Sequence, residues 1–345
     1  MRAFYIDGPR STHFGDIAQP ELKAGDVLLH VDRIRLCGSD LNTFRGLNPL
    51  VSYPRIPGHE IAATILAVGA DVPNGFTKGQ RVTLNPYKNC GTCYACKTGR
   101  INACRNNQTM GVQREGAMTE QIVVPWERVV TSTVSDPNHL ALIEPMAVGF
   151  HAVRRGAVAK GETVAVFGCG AIGLGVIAGC VRVGATVIAV DIDDAKLEVA
   201  KAVGASHAFN SADADPVEGI LELTDGNGVQ VAIEAVGLAQ TFLACVDVAA
   251  AVGRVVYIGY SKAPVTYDTK VILTKELDVR GSRGALQQDF LDVVEYVESG
   301  AYPADKTISK VFSFDEAGEA LAQWEKDPRS VTKFIVANPP VSENA

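Results

Sequence analysis

The run Gly168-Cys169-Gly170-Ala171-Ile172-Gly173 constrains this chain more than any other feature. It stands between a short apolar run, Thr163 to Phe167, and a small-residue segment, Ile172 to Val183, that reads as a helix. Glycines at G-x-G-x-x-G spacing, ending a strand and opening a helix, each answer a physical need. Gly168 permits the tight turn, Gly170 lets backbone approach a pyrophosphate, and Gly173 lets the helix pack close on the strand. Ala171 and Ile172 open the helix, whose free N–H groups and positive dipole end suit phosphate. The next apolar strand, Ala185 to Val190, delivers Asp191 at the expected interval of about 20 residues. An acid there accepts from the ribose hydroxyls and repels a 2′-phosphate, which favours NAD over NADP. Lys196, one turn into the following helix, either reaches the ribose or is a solvated helix-face lysine.

Around these glycines the chain alternates strands and helices. Asp194 to Val203 reads as a helix, and Val229 to Ala235 and Arg254 to Ile258 as further buried strands. That rhythm predicts a parallel sheet with helices on both faces. The first 150 residues read differently. Val27 to Arg35 alternates apolar and polar residues, Ile61 to Val68 and Arg81 to Leu84 follow as strands, and turn residues recur between them. After about 285 the rhythm relaxes into a helix near Asp289 to Glu298, a strand near Ile308 to Phe314, a helix near Glu316 to Trp324 and a strand near Thr332 to Val336. The polar tail beyond Asn338 reads as frayed. A chain of 345 residues is too long for one ordinary core, so two domains are expected. The boundaries read as 1–150, with 285–345 returning to it, and 151–284 for the nucleotide-binding part.

A net charge of −7 argues against a nucleic-acid surface. Asp7 and Gly8 interrupt the N-terminal apolar run, so it does not read as a secretory leader, and no segment has the length to cross a bilayer. The chain reads as cytoplasmic. In a reducing compartment the cluster Cys90, Cys93, Cys96 and Cys104 points to metal rather than disulfides. Its C-x₂-C-x₂-C-x₇-C spacing suits a tetrahedral zinc, with an iron–sulfur cluster as the other metal reading. Four thiolates leave no open position, so such a zinc would be structural. Cys169, Cys180 and Cys245 sit in apolar surroundings and read as small buried hydrophobes.

Three scattered strings remain: Cys37-Gly38-Ser39-Asp40, Gly58-His59-Glu60 and Glu144-Pro145. Together they offer thiolate, imidazole and carboxylate, a set that can hold a catalytic zinc with a position left open. With these strings, the cysteine lobe and the glycine run in this order, the chain resembles the zinc-containing medium-chain dehydrogenase/reductase superfamily from Met1 to about Ala337. The resemblance implies an α/β protein: a GroES-like β-rich domain carrying both zincs, its structural lobe near 86–110, and a Rossmann doubly wound domain. It implies Cys37 and His59 as catalytic-zinc ligands, with Glu60 a ligand or just behind the metal and Glu144 acting directly or through water. Asp40 would fix the ring tautomer of His59, and Ser39 would relay the hydroxyl proton toward the cofactor ribose. A homodimer or homotetramer is implied as well.

Glu144, where simple alcohol dehydrogenases carry a second cysteine, resembles the polyol and sugar-acid branch. Ser52-Tyr53-Pro54-Arg55, Ala141-Leu142-Ile143-Glu144-Pro145, His151-Ala152-Val153-Arg154-Arg155 and Gly281-Ser282-Arg283 are similar to the L-galactonate 5-dehydrogenase type. That type has His-Gln-Asp-Gly where this chain has Gln113-Arg114-Glu115-Gly116. The small-molecule substrate implied is a sugar acid such as L-galactonate or L-gulonate, oxidised at C5. A neutral polyol such as sorbitol, or a simple secondary alcohol, is the alternative. Arg283 and Arg114 are the candidate grips for a carboxylate. A zinc-free reductase of the same superfamily would lack these ligands, and a non-catalytic zinc- and NAD-binding sensor would not need Ser39.

Overall fold

The apolar residues gather into separate cores, and the chain divides accordingly. In the computed structural model, which describes residues 1–328 and 331–340, one unit comprises Met1–Glu144, Val297–Ser299 and the chain from Ala304 on. The other comprises Pro145–Tyr296 and Gly300–Pro303. The end of the tail, 341–345, lies outside the described residues.

The first unit is built on a seven-stranded sheet. Asp26–Arg35 lies near its middle, flanked by Phe334–Ala337 and Glu60–Val68, with Gln121–Pro125 also pairing to it. Lys310–Ser313 pairs with the C-terminal strand, while Arg81–Leu84 and Val129–Thr131 extend the other side. The inward faces bury Val27, Leu29, Val31, Ile61, Ala63 and Ile65, the alternation expected of strands with one face on a core. The register has a consequence for chemistry. Arg35 pairs with Glu60 in an antiparallel ladder, so the chain leaving one strand at Cys37 meets the chain entering the other at His59. Phe334 accepts from Leu36 N at 3.0 Å, which brings Lys333 to the same end of the sheet.

The second unit has six parallel strands in the order His207–Asn210, Thr186–Asp191, Thr163–Phe167, Val229–Glu234, Ala249–Tyr257, Asp278–Gly281. In chain order that is 3-2-1-4-5-6, the doubly wound arrangement, with its reversal beside Thr163–Phe167. Ala165, Phe167, Ile188, Val190, Ala232 and Val255 are buried in its core, as strands covered on both faces require.

Both boundaries differ from the sequence reading. Helix Ile143–Gly156 runs through position 150, and all of it from Pro145 belongs to the second unit. The reason is close packing: a Cβ on Gly149 would lie 2.4 Å from the Gly175 backbone. Proline is tolerated in that first turn because its missing N–H has no intrahelical partner there. Helix Gln287–Glu298 likewise packs with the second unit through Tyr296, so the chain crosses back near 297–304 rather than at 285. Asp289 accepts from His151 Nδ1 at 2.8 Å and from Arg154 Nε at 2.7 Å, and Tyr296 packs on Phe150. Among the described residues no helix is long and apolar enough to cross a membrane.

Candidate zinc and dinucleotide sites

The four-cysteine lobe is framed by a two-stranded ladder, Tyr87–Lys88 with Gln108–Thr109. Gly91 and Gly99 adopt φ of +73° and +80°, the left-handed turns that aim the sulfurs inward. All four thiols are free of disulfides and converge. Cys93 and Cys96 Sγ lie 3.6 Å apart, Cys93 and Cys104 3.9 Å, Cys104 and Cys90 3.5 Å. A tetrahedron with Zn–S near 2.3 Å has edges of about 3.8 Å, so the residues fit that ion. Backbone N–H groups of Thr92 and Cys93 pull the Cys90 thiol down to about 5, whereas desolvation and the neighbouring sulfurs push Cys96 up to about 11. A divalent cation would reconcile that conflict by favouring every thiolate.

The second set is assembled by the sheet. Ligand atoms of Cys37, His59 and Glu60 lie within 4.8 Å of one another, with His59 and Glu60 buried. Glu60 Oε1 accepts from Lys333 Nζ at 2.6 Å, both side chains being almost wholly buried. Glu144 is buried but is not one of the three mutually close residues, and its Oε1 accepts from Tyr87 Oη at 2.6 Å. Burial pushes Glu144 up to about 7, with Glu60 adding to the rise. Burial alone would lower His59, but the charges of Cys37, Asp40 and Glu144 outweigh it and hold the imidazole well above its usual range. The groups around His59 thus favour positive charge at that point. His59 Nδ1, Glu60 Oε2 and Ser39 Oγ are buried and have no hydrogen-bond partner among the described residues. Buried polar atoms are ordinarily paired, so orphans among the residues around a cysteine sulfur and two carboxyl groups fit a resident cation.

Asp40 acts differently from the sequence expectation. It does not hydrogen-bond the His59 ring: its oxygens accept from Cys37 N at 2.8 Å and Gly58 N at 3.3 Å. A fully buried carboxylate needs such donors, and these two fix the backbone next to Cys37 and His59. The Gln113–Gly116 string is also structural. Gln113 accepts from Thr109 N, Arg114 donates to Pro86 O, and Glu115 binds Arg55 Nη1 and Ile56 N, each at 2.7 Å. A Cβ on Gly116 would fall 2.2 Å from Pro57 O, so the string clamps the loop entering His59. Arg114 lines a cavity that includes none of Cys37, His59 or Glu60. Arg283 is exposed, in the other unit, just after strand Asp278–Gly281. The sequence reading missed Lys333 and Tyr87. A lone lysine heading the apolar run Phe334-Ile335-Val336 was the available signal for the first.

In the second unit the glycines sit as the turn demands. Gly168 has φ +98°, and a Cβ on Gly173 would lie 1.8 Å from Gly168 O. A Cβ on Gly170 would meet nothing within 4 Å, so open space borders the start of helix Ala171–Val183. Asp191 ends its strand and accepts from Cys169 N at 2.7 Å and Ile192 N at 2.8 Å, tying it to the glycine turn. Lys196 is near enough for its charge to act on Cys169. A cavity of about 420 Å³ opens beside Phe167, Val190, Ile192, Ser211 and Thr241, at the carboxyl ends of the strands. Cys169, Cys180 and Cys245 are buried, and desolvation pushes their thiols up.

A doubly wound unit with a glycine turn, joined to a β unit with two clusters of metal-ligand type, defines a class. Residues 23–134 match the alcohol dehydrogenase GroES-like domain and residues 171–299 the zinc-binding dehydrogenase family. The chain belongs to the zinc-type alcohol dehydrogenases of the medium-chain superfamily, oxidoreductases that use zinc and a nicotinamide dinucleotide on a small molecule. It is 33% identical to an uncharacterized zinc-type alcohol dehydrogenase-like protein of Haemophilus influenzae, over 97% of this chain and 98% of that one. It is 31% identical to L-galactonate-5-dehydrogenase of Escherichia coli, over 90% of this chain and 91% of the relative. A zinc-binding dehydrogenase of Sinorhizobium meliloti, solved with NADP bound, superposes with a TM-score of 0.90 at 30% identity, covering 97% of this chain and 98% of that one. Sugar-acid and polyol dehydrogenases stand among its relatives.

Proposed function

We propose that the protein oxidises a secondary hydroxyl of a polyhydroxylated substrate to a ketone, with a sugar acid such as L-galactonate or L-gulonate, oxidised at C5, as the first candidate. The observation that carries this reading is the carboxylate-rich donor set: Glu60 held by Lys333 and Glu144 held by Tyr87, beside Cys37 and His59. Two carboxylates in place of a second thiolate make a hard, polar surrounding suited to a substrate with many hydroxyls. The sequence likeness to a sugar-acid dehydrogenase supports the same reading.

Cys37, His59 and Glu60 would hold the catalytic zinc, with Glu144 close by, and Cys90, Cys93, Cys96 and Cys104 the structural one. Zinc at the first set supplies Lewis-acid stabilisation of negative charge on an alcohol oxygen, which brings proton loss within reach of neutral pH. Bound NAD⁺ supplies the hydride acceptor. Ser39 Oγ, buried without a hydrogen-bond partner among the described residues, takes the hydroxyl proton and hands it on. Lys333 keeps Glu60 Oε1 occupied, which leaves Oε2, buried and without a partner among the described residues, as the oxygen that would hold the metal. Asp40 fixes the backbones of Cys37 and Gly58, and so the spacing of thiolate and imidazole. In the other unit Gly168, Gly170, Ala171, Ile172 and Gly173 would cradle the pyrophosphate, and Asp191 with Lys196 the ribose.

NAD⁺ reduction with L-galactonate, L-gulonate, sorbitol and simple secondary alcohols side by side tests the reading. A higher kcat/KM on an aldonate supports it, and turnover of simple alcohols alone overturns it. Arg114 lines a cavity that includes none of Cys37, His59 or Glu60, which removes one cation expected to grip the substrate's carboxylate and favours a neutral polyol as the second reading. Asp191→Ala should shift cofactor preference toward NADP by about tenfold or more, because a buried or clamped carboxylate repels the 2′-phosphate. An unchanged ratio would remove Asp191 from the ribose.

A further inference from the structure

Arg114 and Arg128 line one cavity of about 510 Å³ in the first unit, with Lys88, Asn85, Asn89 and Glu127. The volume lies in the range of small-ligand pockets. Both guanidiniums are anchored by neutral groups. Arg114 Nη2 donates to Pro86 O at 3.0 Å and its Nε to Gln108 O at 3.4 Å, while Arg128 Nη2 donates to Asn89 Oδ1 at 2.8 Å. The Arg128 backbone is fixed as well, its carbonyl accepting from Asn85 N at 2.8 Å. A guanidinium carries five donors, so most of those on both forks are left unused by the protein. Neither arginine, nor Lys88, forms an ion pair among the described residues, whereas Arg2, Arg10, Arg45 and Arg55 of the same unit each do.

Three cations therefore share one cavity with a single carboxylate, Glu127. Burial pushes both guanidiniums below their usual range, and Arg128 adds its repulsion to Arg114. Gathering like charges in a partly desolvated space is unfavourable unless an anion offsets it. Rigid forks anchored on neutral acceptors are pre-organised for a planar or tetrahedral oxyanion. None of Cys37, His59 or Glu60 lines this space, so it is separate from the metal-ligating cluster.

We propose that this cavity is a second ligand site, taking a small metabolite through a phosphate or carboxylate group held by Arg114, Arg128 and Lys88. Arg114 is then an anion contact, as its chemistry suggested, but for a ligand other than the substrate at Cys37 and His59. The test is calorimetric titration of the zinc-loaded protein at constant ionic strength. The dinucleotide site is kept saturated with NADH, so that phosphate cannot register there. Inorganic phosphate, glycerol 3-phosphate and malonate are the probes, and the tighter of the phosphates or malonate identifies the group recognised. Arg128→Gln and Arg128→Gln/Lys88→Gln leave the Arg114 brace intact. The expected result is saturable binding to the unaltered protein, weakened about tenfold or more by the first variant and further by the second. Absence of saturable binding by all three probes, or binding that both variants leave unchanged, would overturn the proposal.

Discussion

The two cysteine-bearing sites of the first unit solve opposite problems. The lobe site draws all its ligands from one stretch of chain, Cys90 to Cys104, and three of the four are only half buried. Local turns at Gly91 and Gly99 aim the sulfurs, so the spacing is written in the sequence, and the stretch is otherwise braced by local backbone hydrogen bonds and buries only Asn102 and Cys104. The other site draws Cys37, His59, Glu60 and Lys333 from distant segments that the register of the sheet brings together, while Glu144 comes from the first turn of helix Ile143–Gly156. On the proposed reading, a metal in the lobe would organise the chain, whereas in the pocket the chain would organise the metal position. Losing an ion should therefore cost folding at one and chemistry at the other.

The largest effect falls on the pocket. His59→Ala, or Cys37→Ser, should lower kcat/KM on the order of 10³-fold or more, since metal charge stabilisation is worth several kcal/mol. Circular dichroism and Tm should stay close to the parent, because the sheet forms without the imidazole. Near-parental activity would show that this set does not hold the catalytic metal. Next in size is Cys104→Ser, at the buried ligand of the lobe. Structural zinc is folding free energy. We expect Tm to fall by roughly 10 °C, which is several kcal/mol for a chain of this size. Zinc content should drop by one ion per chain, with early proteolysis between Tyr87 and Thr109. A parental Tm with that zinc missing would erase the contrast.

The same contrast explains what could be read before folding. The glycine run, Asp191 and the four cysteines are local devices, each needing only its own turn, and their spacing shows in the chain. The strand alternation of Val27 to Arg35 and the βαβ rhythm are equally local. Lys333 and Tyr87 escaped notice because a charge or hydroxyl carries no mark of a partner far away in sequence. Only the isolation of Lys333 beside an apolar run hinted that its ammonium must find a carboxylate. Asp40 was assigned to the ring of His59, yet a fully buried carboxylate is satisfied by whichever donors lie nearest, here two backbone N–H groups. The sequence places the domain boundary inside helix Ile143–Gly156 because the alternation of strand and helix is legible only beyond it.

Lys333→Met sharpens the claim that the pocket is made by the fold. It leaves Glu60 buried without its cation, a loss of about 3–5 kcal/mol for a broken interior pair. Adding Glu60→Gln should restore a good part of that stability while leaving activity low, because the neutral amide tolerates burial and is a poor zinc ligand. A single variant as stable as the parent would mean that Glu60 is not committed to Lys333.

The smallest effect, and the finest test, concerns Tyr87, where the two sites meet. Its hydroxyl donates to Glu144 Oε1 in the pocket, and its backbone opens the ladder that frames the cysteine lobe. Tyr87→Phe removes a hydrogen bond to a buried carboxylate, worth about 1.5–3 kcal/mol when that group is charged. The lobe should keep its zinc, because the ladder uses only the backbone of residue 87, and Tm should shift by a few degrees at most. Turnover should fall about tenfold, as Glu144 loses the donor that holds it in place. If Tyr87→Phe instead releases zinc from the lobe and spares kcat/KM, then Tyr87 serves the lobe's folding, and the division of labour between the two sites fails at the one residue that belongs to both.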